Sequence, residues 1–279
     1  MPLLVAGLTA VLWGAADFLG GLAAASWRAI RVGAAAQAAG VGLLLPVLPF
    51  LDVDGLAGAD IGWGVTAGCT GAVGITLLYR ALAIGPMNVA APTTAVVGAA
   101  VPAAAGLALG ERPGGLALAG VALAIAAVGM IGSSPAGSSR GIGRSVLPTA
   151  ALGGIGLGLT GVAFAQTGPA AGLWPAFAAK CASAVILAAA VLLSRGPAGS
   201  HAGRGLGLSL AAGAVDVIAT ALFLIALQRG SLVLVSVIAS LYPASTVLLA
   251  RVALRETIGR LQGAGLVAAA AAVALIAAS

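Results

Sequence analysis

The chain has 279 residues, 61% of them hydrophobic and only 7% charged, with a formal net charge of +6. A soluble domain carries roughly 25% charged residues, so a soluble body of this size could not cover its surface, and the bilayer is the natural solvent for the excess apolar area. The basic residues are scattered among short polar interruptions and form no stripe interleaved with aromatics, which argues against nucleic acid as a partner.

Ten apolar stretches follow one another at roughly 3–25, 32–51, 61–84, 87–109, 114–132, 147–166, 171–194, 205–228, 231–254 and 259–278. Each is close to the roughly 20 residues that a membrane-crossing helix needs. Barrel strands would be half as long and would alternate, so the sequence predicts an all-α integral membrane protein. The first stretch lacks a basic leader segment and is read as the first helix, not as a cleaved signal. It carries Trp13 and Asp17; the second carries Gln37, and the third Cys69, Tyr79 and Arg80. The fourth holds Asn88, Pro92, Thr93, Thr94 and Pro102. A polar run at 133–145 reads as a linker. Beyond it the sixth stretch holds Gly156-Leu157-Gly158-Leu159-Thr160-Gly161 and ends at Gln166. That motif has the dinucleotide-binding spacing, but no strand precedes it, and close helix packing explains it better. The seventh and eighth stretches carry Lys180, Cys181 and Asp216, and the ninth Ser236, Ser240, Pro243 and Ser245. Cys69 and Cys181 lie far apart in apolar spans and predict no disulfide or metal site; His201 sits in a polar loop. No cofactor is expected.

The central linker prompts a comparison of the two halves. At an offset of 145 residues, Gly85 meets Gly230, Leu109 meets Leu254, Glu111 meets Glu256, Gly114 meets Gly259 and Gly120 meets Gly265. The sequence therefore predicts a five-helix repeat at 1–132, the linker at 133–145 and a second five-helix repeat at 146–279. An odd helix count inverts the second repeat relative to the first. Arg28, Arg31, Arg140, Arg144, Arg195, Arg204, Arg255 and Arg260 then fall on one face, and Asp52, Asp54 and Asp60 on the other. The bias of basic residues toward the cytoplasm predicts a cytoplasmic linker and external termini.

The first stretch contains Leu12-Trp13-Gly14-Ala15-Ala16-Asp17-Phe18-Leu19-Gly20-Gly21; Leu109-Gly110-Glu111-Arg112 and Leu254-Arg255-Glu256-Thr257 close the fourth and ninth, and Leu241-Tyr242-Pro243 interrupts the ninth. With the five-plus-five organisation, these features resemble the EamA-type members of the drug/metabolite transporter superfamily. The resemblance implies a central cavity between the halves and transport of metabolites, often outward. Many such relatives place both termini in the cytoplasm, whereas the charges here predict the opposite.

Charged groups at bilayer depth are costly and invite a functional reading. Lys180 and Asp216 fall near the middle of consecutive antiparallel spans and are expected to pair, either as a structural bridge or as part of a cavity in which Lys180 meets a solute carboxylate. Asp17 has no evident partner. Burial disfavours a charged carboxylate, so Asp17 is a candidate to exchange a proton during transport, to bind a cationic group, or simply to reach Arg28. Trp13 and Tyr79 are candidates to flank a solute. Gln37 and Gln166 are candidates for helix–helix hydrogen bonds or the cavity wall. Pro92 and Pro102 in the fourth span and Pro243 in the ninth are expected to interrupt matching helices, with Asn88, Thr93 and Thr94 on one side and Ser236, Ser240 and Ser245 on the other, a pattern that points to a transport site.

The sequence thus predicts a secondary transporter in the plasma membrane that moves a small metabolite or drug-like solute by alternating access. Efflux is the expected direction and a proton the first candidate for coupling. No nucleophile–base constellation supports an enzyme. A membrane enzyme, a lipid-modifying protein or a passive scaffold are the alternatives. Oligomeric state and solute identity are not legible.

Overall fold

The computed structural model describes residues 1–50, 55–85, 87–131, 145–194, 202–254 and 259–278. The linker apart from Ser145 lies outside these residues, as do Asp52, Asp54, Arg195, His201, Arg255 and Glu256. The described chain is helical: α1 (Pro2–Ala24), α2 (Ala29–Leu44), α3 (Gly58–Ile84), α4 (Met87–Ala108), α5 (Gly115–Ile131), α6 (Val146–Phe164), α7 (Trp174–Leu193), α8 (Ala202–Arg229), α9 (Leu232–Ala239), α10 (Tyr242–Leu254) and α11 (Arg260–Ala277). Eight segments are long and apolar enough to cross a membrane, with α9 and α10 forming one of them, and two shorter apolar helices, Gly115–Ile131 and Arg260–Ile276, complete ten.

The prolines act differently in the two matching spans. Pro92 and Pro102 sit inside α4, which nevertheless runs unbroken. This corrects the expectation that both spans are interrupted. Membrane helices tolerate internal proline, and α4 is tied to its surroundings beside Pro92: Thr93 donates to Val89 O of its own helix at 2.8 Å and Thr94 to Ala150 O of α6 at 3.0 Å. The ninth span, by contrast, breaks at Ser240 and Leu241. Pro243 cannot donate the hydrogen bond that would continue α9, but it is well suited to the first turn of α10. Ser231 caps α9 by accepting from Leu234 N at 3.3 Å.

Lipid offers no hydrophobic drive between helices, so the bundle is held by close backbone approach and interhelical hydrogen bonds. A side chain at Gly68 of α3 would strike Ala179 of α7, and one at Gly213 of α8 would strike Ala36 of α2. The glycines of α6 face two ways. Gly153 and Gly156 pack on α3, while Gly154 and Gly158 pack on α4. This is the role of the glycine-rich motif. The main partners are α1 with α8, α3 with α6, α4 with α6, α3 with α7, α2 with α7 and α8, α1 with α10, and α5 with α11. Each of these pairs joins a helix of the first half to one of the second.

Hydrogen bonds between helix ends show which ends share a face. On one face Asp60, at the start of α3, accepts from Gly168 N at 2.9 Å, and Gln228, near the end of α8, donates to Gly168 O and Gly172 O. There too Glu111 reaches the start of α9. It accepts from Ser231 Oγ at 2.6 Å, Leu232 N at 2.7 Å and Val233 N at 3.0 Å. A carboxylate is favoured at a helix N-terminus, where the first N–H groups lack partners. Gly110, at φ +99°, ends α4 and turns Glu111 toward this position. On the other face Arg28 donates to Ser194 at 3.4 Å, and Gln262 of α11 to Ile131 O at 3.3 Å.

Candidate functional site

A cavity of about 940 Å³ of open space, mouth included, lies where α1, α2, α3, α4, α6, α7, α8, α9 and α10 meet. Both halves of the chain supply its wall. Its charged end comes from α1, α7 and α8. Lys180 Nζ and Asp216 Oδ2 form an ion pair at 2.5 Å, with the side chains 7% and 13% exposed. The aliphatic stem of Lys180 crosses α2 at Gly40, where a Cβ would stand 3.0 Å from its Cδ. The second oxygen of Asp216 accepts from the indole N–H of Trp13 at 3.2 Å. The Trp13 ring in turn lies against Phe223, with centroids 4.8 Å apart and planes tilted by 53°.

Asp17 lines the same cavity one turn further along α1 and is only 6% exposed. Among the described residues its carboxylate has neither a hydrogen bond nor an ion pair. It does not reach Arg28, whose guanidinium turns instead to Ser194. Ser236 also lines the cavity, and its buried Oγ lacks a hydrogen-bond partner among the described residues.

The rest of the described wall is uncharged. Ser183 donates to Gly68 O at 2.7 Å, and Thr160 and Thr70 share a hydrogen bond at 3.0 Å. Phe164, Leu157 and Ile75 supply apolar surface, and Tyr242 and Thr220 complete the wall toward α8 and α10. Tyr242 donates its hydroxyl to Ala91 O at 3.3 Å.

Of the residues singled out from sequence, Trp13, Asp17, Gln37, Thr94, Pro102, Lys180, Asp216, Ser236 and Ser240 line this cavity. The others are placed elsewhere. Tyr79 is 1% exposed and packs behind α1 against Gly20, outside the cavity wall. Gln166 lies beyond the end of α6, is exposed, and donates to Val162 O of its own segment. Thr93 bonds back to its own helix and does not line the cavity, whereas Ser245 donates to Ala10 O of α1 at 3.3 Å. Pro92 and Pro243 are buried but do not line it. The Asn88 side chain lies outside the described residues. Sequence reasoning missed Phe164, Phe223, Thr160, Ser183 and Thr220 as wall residues. Their helices are apolar all round, so no periodicity marks the inward face.

Residues 145–278 match the model of a family described as the EamA-like transporter family. No curated protein matches the chain. Among 25 matching solved chains, one crystal structure, described only as that of a protein, superposes with a TM-score of 0.69. It shares 18% identity over 99% of this chain and 98% of its own length. At that identity the likeness is one of fold.

Proposed function

We propose that the chain is a secondary transporter that moves a small metabolite or drug-like solute across the plasma membrane by alternating access, in keeping with the match of residues 145–278 to the EamA-like transporter family. The observation that carries this reading is the cavity. A largely apolar body encloses a space containing an ion pair and an unpartnered carboxylate. Such groups are costly at bilayer depth and are retained along solute or ion pathways.

Two inverted repeats, 1–132 and 146–279, account for the way the wall is shared. Several contacts support them. Gly120 of α5 packs on Ala272 and Ile276 of α11, while Gly265 of α11 packs on Ala127 and Ile131 of α5. The 145-residue offset carries the first contact onto the second. The same exchange relates α1 on α8 to α6 on α3, and α2 on α8 to α7 on α3. Because these pairings cross between the halves, the sequence halves are not the moving parts. The groups α1–α2–α8–α9–α10 and α3–α4–α6–α7 are better candidates to rock about the cavity.

Arg28, Arg31, Arg80, Arg204, Arg251 and Arg260 lie toward the face that holds the α1–α2 connection, against Arg112 and Arg229 toward the other. This supports a cytoplasmic linker and external termini. Asp17 is the group available to carry a coupling proton, and efflux is the expected direction. A test compares cells with and without the gene, grown on uniformly labelled carbon, by mass spectrometry of medium and extract. Transport predicts gene-dependent movement of one or a few small solutes from extract to medium. Identical profiles contradict it.

A further inference from the structure

We infer that the cavity takes a solute carrying one positive charge on an apolar body, with Asp17 as its counter-ion; this rests on the transporter reading above. The inference begins with the charges in the wall. Lys180 is committed to Asp216, and Trp13 fills the remaining Asp216 oxygen. That pair is neutral and satisfied. Asp17 is left over: 6% exposed, lining the cavity, and without a hydrogen bond or ion pair among the described residues. Among the described residues no arginine lines the wall. The position equivalent to Asp17 in the second half is Val162, so the cavity holds one such carboxylate and not two.

Charges interact several-fold more strongly away from bulk water. An anionic solute would meet no uncommitted positive charge among the described wall residues, because Lys180 is held by Asp216. A monocation favours the ionised form of Asp17 and balances its charge. The rest of the wall suits the same solute. Trp13 and Phe223 stack beside the charged end, and Phe164 and Tyr242 present further rings. Aromatic faces attract organic cations, most strongly when the cation is desolvated. Several wall hydroxyl groups already donate to backbone carbonyls, those of Ser183, Thr94 and Thr220 among them.

Calorimetric titration of the purified protein in detergent and alkaline buffer tests this, with benzyltrimethylammonium as the cation and phenylacetate as an anion of similar size. The wild type should bind the cation and not phenylacetate. Asp17→Asn should weaken cation binding by at least about tenfold, while Asp17→Glu, which restores the charge, should bind within a few-fold of wild type. Monodisperse elution of all variants separates loss of charge from loss of fold. Absent cation binding, equal binding by Asp17→Asn, or a preference for phenylacetate that disappears in Lys180→Met would overturn the inference. Cation binding without flux in proteoliposomes would remove the transporter reading and keep the site. Flux of neutral or anionic solutes alone would do the reverse.

Discussion

Replacing Lys180 and Asp216 singly and together measures what the buried pair contributes. Two unit charges about 4 Å apart in a partly screened protein setting attract by about 4 kcal/mol. Removing one member of a buried pair typically costs about 3–5 kcal/mol, because the survivor is left uncompensated. Lys180→Met is the harsher change here. It leaves Asp216 with the Trp13 indole alone and puts two unpaired carboxylates, Asp216 and Asp17, in one cavity. Asp216→Asn leaves Lys180 with Asp17 still lining the same space, so its cost should be smaller. The double variant removes both charges and should recover most of the loss, giving a coupling energy of about 2–4 kcal/mol. Unfolding monitored in mixed micelles of increasing denaturing detergent reads these differences. Losses that add within about 0.5 kcal/mol would show that the two groups do not depend on each other.

Glu111→Ala should destabilise the protein by about 1–3 kcal/mol, since the Leu232 and Val233 N–H groups lose their acceptor; Glu111→Gln should recover part of that, and the same unfolding assay checks both. Gly68→Val forces α3 away from the α7 backbone and should cost at least about 1–3 kcal/mol, seen as a lower midpoint and poor yield of folded protein. In a background lacking Cys69 and Cys181, Gly114→Cys should react with an impermeant thiol reagent in intact cells, and Ala25→Cys only after lysis; the opposite pattern would reverse the orientation. Asp17→Asn should insert normally but lose transport driven by a pH gradient, and unchanged gradient-driven transport would assign Asp17 a structural role.

Lys180 and Asp216 were readable as partners because two isolated charges fell at similar depth on consecutive apolar spans. The break in the ninth span was readable from Pro243, which cannot donate to the helix before it. Pro102, by contrast, gave no sign that α4 would stay whole, because that depends on packing against α6. The placements of Tyr79 and Gln166 are hidden in the sequence for a related reason. A helix that is apolar on every side does not reveal its rotation, and α6 stops at Phe164, short of Gln166. The indole of Trp13 was read as a solute wall, while its N–H also holds Asp216 in place. Glu111 was recognised as a repeat marker; its capping of α9 needs the fold, since 120 residues separate it from Ser231.

The most direct test of solute transport is made with purified protein reconstituted into liposomes that are loaded with an isotopically labelled extract of small metabolites and placed under an inward-to-outward pH difference. The released species are identified by mass spectrometry at successive times. Transport predicts the selective, saturable release of one or a few small cationic solutes, faster with the gradient than without it and impaired in Asp17→Asn. Release indistinguishable from that of protein-free liposomes would contradict it.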